Sequence, residues 1–92
     1  MHIDQLTYFV HVVETGSINA TAQKYFMTQQ AINASLKKLE SEIGSPLLNR
    51  TYKGIELTPQ GHIFLQYAQN ILSQYNESLQ QLELYNAEEA NL

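Results

Sequence analysis

The stretch from Ser17 to Glu40 constrains this chain most: Ser-Ile-Asn-Ala-Thr-Ala-Gln-Lys-Tyr-Phe-Met-Thr-Gln-Gln-Ala-Ile-Asn-Ala-Ser-Leu-Lys-Lys-Leu-Glu. It predicts two helices joined by a tight turn. Ser17 and Thr28 each stand where a hydroxyl can accept from a free N–H in the first turn of a helix. The second helix repeats Ile32, Leu36, Leu39 and Ile43 at spacings of four, three and four, which makes one apolar stripe. Its other face carries Gln29, Gln30, Asn33, Lys37 and Lys38. Amides match the paired donor and acceptor of an adenine edge, and lysines match phosphates or guanine. A short helix, a turn and a second helix with such a face is the layout of a DNA-reading helix-turn-helix. Polar residues opposite an apolar stripe are also what any surface helix shows, so the pattern alone leaves an ordinary solvated face open.

The flanking sequence extends the pattern. Leu6, Phe9, Val10 and Val13 fall on one face of a helix over residues 4–15, with Asp4 at the positive end of its dipole and Gly16 as its left-handed stop. The next helix is expected over 18–26, with Ile18, Ala22, Tyr25 and Phe26 facing inward. Small Ala22 permits close approach of the following helix, and the Thr21 hydroxyl can be satisfied by a carbonyl one turn back. The helix over 28–43 ends at Gly44, and Pro46 prevents a restart. Residues 47–57 read as a β-hairpin, with Ile55 and Leu57 alternating about Glu56 and a turn at Tyr52-Lys53-Gly54. Thr58 then caps a long helix whose first residue is Pro59, running to about residue 86. Gly61 weakens its first turn but permits close packing. The acidic tail 87–92 is expected to fray.

Along that long helix, Leu65, Ala68, Leu72, Tyr75, Leu79 and Leu82 alternate spacings of three and four, the a/d seam of a coiled coil. Phe64 and Ile71 lie beside the seam and are expected against the body of the domain. A helix about 40 Å long (~1.5 Å per residue) outruns what a 60-residue body can cover. The expected cover is the same helix of a second copy; burial within one chain is the competing reading.

The 92 residues fit one small domain, and a hydrophobic share of 43% supports a folded chain. There is no cysteine, so neither disulfides nor thiolate metal sites are available. His2, His11 and His62 lack a ligand motif and read as surface or partly buried structural residues. No nucleophile with a nearby base and no Gly-rich phosphate loop points to catalysis, and no cofactor or metal is expected. No apolar run could span a membrane and no signal peptide opens the chain, so a cytoplasmic protein is expected. The net charge of −4 by itself argues against a nucleic-acid partner. The distribution changes that: all five basic residues, Lys24, Lys37, Lys38, Arg50 and Lys53, fall between positions 24 and 53. Against Glu40 and Glu42 the local balance is +3, enough to steer a polyanion but weak for one copy acting alone.

Read together, Leu6, Phe9, Gly16-Ser17, Thr28-Gln29, Ala31, Leu39-Glu40, Gly44, Pro46-Leu47, Arg50, Leu57-Thr58 and Gly61 resemble the N-terminal domain of LysR-type transcriptional regulators. The resemblance implies a mostly α fold with a small β-hairpin. That fold is a winged helix-turn-helix over 1–58, followed by a linker and dimerisation helix over 59–86. It implies double-stranded DNA as partner, with the helix from Thr28 in the major groove and two copies reading an inverted repeat. Carried over position by position, Gln29 approaches base edges, Ser17 and Thr28 are caps that can touch phosphate, and the wing tip with Lys53 lies near the minor groove. Arg50 meets a phosphate on this reading; otherwise it only pairs with Glu40 or Glu42. The chain departs from the family at Gln30 (usually Pro), Asn33 (usually Ser), Ala34 (often basic), Thr21 (usually Ala) and Leu48 (usually Phe). Two extra amides and a lost cation point to a target read more through A·T pairs than usual. The family normally continues into a two-lobed domain that senses a small effector, which is missing here; the chain is a DNA-binding fragment or naturally short. An alternative of another class is a protein-interaction module that pairs with a full-length regulator through the long helix and modulates it.

Overall fold

A computed structural model describes residues 1–90. The elements follow in the order α1 (Ile3–Thr15), α2 (Ile18–Lys24), α3 (Gln29–Ile43), β1 (Leu48–Thr51), β2 (Gly54–Leu57) and α4 (Pro59–Ala90). Sequence-encoded caps set most of these boundaries. Ala20 N–H donates to Ser17 Oγ at 3.0 Å, Ala31 N–H to Thr28 Oγ1 at 3.1 Å and Gly61 N–H to Thr58 Oγ1 at 2.9 Å. Each bond satisfies a first-turn donor that would otherwise lack a partner. Gly16 and Gly44 end α1 and α3 in the left-handed region, where a side chain would be strained.

The core sits where α1, α3 and the start of α4 meet. Leu6, Phe9, Val12, Ile32, Leu36, Leu39 and Leu47 are buried there, and Phe64 of α4 packs on Phe9 with ring centroids 5.7 Å apart. Thr21 is fully buried in α2, and its hydroxyl meets both the Ser17 carbonyl at 3.2 Å and His11 Nδ1 at 2.6 Å. His11 is therefore a structural histidine, wedged edge-on against Tyr25. The hairpin pairs Leu48 with Leu57 and Arg50 with Ile55, antiparallel. Directly paired residues project to the same face, so Arg50 shares the face of Leu48, Ile55 and Leu57. Those three apolar residues pack against the core, which anchors a hairpin too small to be stable alone.

Three expectations need correction. Phe26 does not face inward: it is 96% exposed at φ 56°, and α2 stops at Lys24. The chain must reverse here to seat the Thr28 cap. Met27 takes the inward place, its N–H bonded to the Ala22 carbonyl at 2.9 Å. Second, the expected α4 seam divides. Ala68 is fully buried against this chain's own body, and Leu65 and Leu72 pack beside it, so these three belong to the core rather than to an open seam. Ile71, expected on the body, is 38% exposed. The open stripe is instead Ile63, Tyr67, Ile71, Tyr75, Leu79 and Leu82; at the end nearest the body, Ile63 and Tyr67 lie about 100–160° around the helix from Gly61 and Ala68. Third, α4 continues through Ala90 rather than stopping near residue 86. Ala87, Glu88, Glu89 and Ala90 are good helix formers with no Gly or Pro to stop them. Asn91 and Leu92, the rest of the expected frayed tail, lie outside the described residues.

Every residue from Ser73 to Ala90 is exposed. The 32-residue α4 thus projects about half its length beyond the body, giving a shape 58 Å long and only 27 Å by 20 Å across.

Candidate nucleic-acid interface

The outer face of α3 holds the amides the sequence singles out. Gln29 and Gln30 are exposed in its first turn, and Asn33 is half-buried one turn on. With Asn19 and Gln23 of α2 they rim a polar hollow floored by Ala22 and Met27. Gln29 Nε2 donates to Asn19 Oδ1 at 3.1 Å, so one of its two N–H groups is held while the other stays free beside Oε1. Asn19 and Gln23 escape a reading of α3 alone. Their signal is the short helix before the turn, whose polar residues must share any surface that α3 presents.

The cations are not gathered as a single group. Lys37 borders a hollow together with Arg50 and Asn49 of the wing. Lys38 lies on another side of α3, around a hollow shared with Asp4, Gln5 and Tyr8. Lys53 is at the wing tip, 5.7 Å from the ring centroid of Tyr52, and that tyrosine is 94% exposed. Lys24 stands over Tyr25 at the end of α2. Ser17 and Thr28 both spend their hydroxyls as caps.

Arg50 pairs with neither glutamate. Glu40 Oε2 accepts from Leu47 N–H at 2.6 Å and Leu48 N–H at 3.3 Å, tying the loop after α3 to the wing. Glu42 is taken by the Met1 ammonium at 2.9 Å, which holds its carboxyl below the usual carboxylate range. Arg50 Nη2 instead donates to Asn33 Oδ1 on α3. Strand alternation explains the direction: Arg50 projects to the helix-facing side of β1 with Leu48. Replacing Glu40 with alanine removes the acceptor for two backbone donors. Glu40→Ala is expected to cost about 2 kcal/mol, read as a lower urea midpoint with an unchanged slope.

The face that unites an amide row, a wing and two flanking cations has clear relatives. The chain matches the family described as bacterial regulatory helix-turn-helix protein, lysR family, over residues 3–62. The chain belongs to the LysR family. It is 42% identical over 72 residues to the transcriptional regulator TcbR of Pseudomonas sp. (strain P51), covering 78% of this chain and 24% of that one. It is 38% identical over 77 residues to the regulator BenM of Acinetobacter baylyi, covering 84% and 25%. Among solved structures, the BenM DNA-binding domain with catB site 1 DNA superposes with a TM-score of 0.88 at 34% identity, over 94% of this chain and 97% of that one. The CbnR DNA-binding domain with DNA gives 0.86 at 36% identity, over 94% and 99%. This LysR-type chain therefore carries the family's DNA-binding domain, and spans about a quarter of the length of these curated relatives. The relatives are transcriptional regulators, not enzymes, and they favour the DNA-binding reading over a pairing module. Among the described residues no helix is long and apolar enough to cross a membrane.

Proposed function

We propose that this chain binds duplex DNA sequence-specifically as a homodimer and regulates transcription in the bacterial cytoplasm. The observation that carries the reading is the placing of exposed Gln29 and Gln30 and half-buried Asn33 on the outer face of a capped α3. Placed in the major groove, that face brings amides to base edges, while Lys37, Lys38 and Lys53 supply positive charge for phosphates and the minor groove, and Arg50 stands beside Asn33 at the base-reading face. The first-turn N–H groups of α3 suit a phosphate at the groove edge. The open half of α4 suits the second copy, with Tyr75, Leu79 and Leu82 in the seam and Ile63, Tyr67 and Ile71 extending it toward the body. Two α3 helices held this way match two half-sites of an inverted repeat. Pairing also answers the weak local charge, because two copies double the phosphates neutralised. A small-molecule effector enters only where an effector-sensing domain accompanies this one.

The test is selection from a random duplex pool with purified protein, followed by sequencing. An enriched inverted repeat of fixed spacing is the expected result; salt-sensitive binding without sequence preference defeats the proposal. On the selected site, Gln29→Ala is expected to lose roughly 1–3 kcal/mol and to relax one base position. Equal losses on the selected site and on random DNA would remove Gln29 from base reading.

A further inference from the structure

The bond between Arg50 and Asn33 bears on which base the domain selects. An asparagine amide turned freely can offer a donor and an acceptor together, the match to adenine. Asn33 is not turned freely. A guanidinium carries only donors, so the Asn33 atom that meets Arg50 Nη2 must be the carbonyl oxygen. The Nδ2 group, with both of its N–H donors, is then directed away from the wing. Arg50 pairs with neither nearby carboxylate: Glu40 Oε2 accepts from the Leu47 and Leu48 N–H groups, and Glu42 pairs with the Met1 ammonium. On β1 the alternation that places Arg50 opposite Ile55 aims it to the same side as Leu48, toward the helices.

We infer that Arg50 is a specificity-determining residue that acts through Asn33, converting it from an adenine reader into a donor-only reader that selects guanine. Guanine shows two acceptors, N7 and O6, in the major groove, whereas adenine shows one acceptor beside a donor that would oppose the Asn33 N–H groups. The remaining Arg50 donors add to the same donor-only surface. Gln29, with a free N–H beside its free Oε1, stays suited to adenine. The half-site is therefore mixed, with an adenine under Gln29 and a guanine under Asn33, and not the uniformly A·T-rich site that the amide count alone suggests. The inference rests on the proposed major-groove placement of α3.

The experiment is the same random-pool selection run in parallel on the wild type, Asn33→Ala and Arg50→Met. Asn33→Ala locates the base position that Asn33 reads. At that position the wild type is expected to select guanine. Arg50→Met frees the Asn33 carbonyl, so the guanine-to-adenine ratio there is expected to fall at least about tenfold while the Gln29 position keeps its preference. Wild-type selection of adenine at the Asn33 position overturns the inference. So does an Arg50→Met variant that weakens all sequences alike, since that is the signature of a phosphate contact. A wild type that enriches no sequence at all instead defeats the DNA-reading proposal beneath it. Arg50 is exposed, and an unchanged thermal melt of Arg50→Met shows that its fold is intact.

Discussion

Glutamates at Tyr75 and Leu82 together are expected to lower affinity for a full inverted repeat by roughly 10²–10⁴-fold, while leaving the affinity for a single half-site nearly unchanged. The two residues lie seven apart on α4, so they share one face, and they are 43% and 59% exposed. Among the described residues nothing covers this part of the helix, because every side chain from Ser73 to Ala90 is open to solvent. The substitutions therefore leave the folded body alone and act only on what covers the stripe from outside. Facing copies would bury like charges against each other and against apolar partners, which prevents pairing. Loss of pairing removes the advantage of delivering the second α3 at high effective concentration. Sedimentation of the variant should show a monomer where the wild type is a dimer. A variant that stays dimeric and binds the full site as tightly as the wild type would place the interface elsewhere.

The reason this prediction falls on Tyr75 and Leu82, and not on Ala68, lies outside any single period. α4 carries two adjacent apolar stripes, and both satisfy helical spacing. The heptad through Leu65, Ala68 and Leu72 is regular, and regularity suggests a coiled-coil seam. The structure buries that half of the heptad against α1 and leaves Ile63, Tyr67 and Ile71 open. A usable signal was present in side-chain size. Gly61 and Ala68, the two buried residues of α4, are its smallest residues on that face, and small residues mark where a helix approaches its own neighbour. The local features read well because they are local. Ser17, Thr28 and Thr58 cap the helices they precede, and Gly16 and Gly44 stop the ones they follow, through interactions spanning only a few residues. Arg50 is the opposite case. Its partner Asn33 is seventeen residues away, and only the docking of the wing on the helical body brings the two side chains within reach across the hollow between α3 and β1. The alternation Leu48-Asn49-Arg50 did contain the direction of the arginine, but not its destination. Phe26 differs for a third reason: the apolar periodicity of the sequence continues two residues past Lys24, into a turn where the backbone has already left the helix.

Gly61→Ala is expected to destabilise the domain by about 3 kcal/mol, at the upper end of what one added methyl costs in a packed site. A Cβ at Gly61 would stand 2.1 Å from the Leu47 carbonyl oxygen and 2.9 Å from Leu57 Cδ2. The second contact can be relieved by a rotamer change, but the first is with backbone. That backbone is pinned from both directions. Leu47 C=O accepts from Thr58 N–H at 3.0 Å, Leu47 N–H donates to Glu40, and Thr58 Oγ1 donates to the Pro46 carbonyl at 2.6 Å. The Leu47 side chain is itself buried in the core. Relief therefore requires α4 to lift from the base of the wing, which opens the contact between Phe64 and Phe9. For a domain of this size the loss corresponds to a melting temperature lower by roughly 12–24 °C. Gly44→Ala supplies the contrast. It adds a methyl where nothing lies within 4 Å and costs only the left-handed strain at φ 80°, about 1 kcal/mol. Circular dichroism melts of the two variants separate clash from strain. If Gly61→Ala melts no lower than Gly44→Ala, the junction between α4 and the wing is yielding rather than tightly packed.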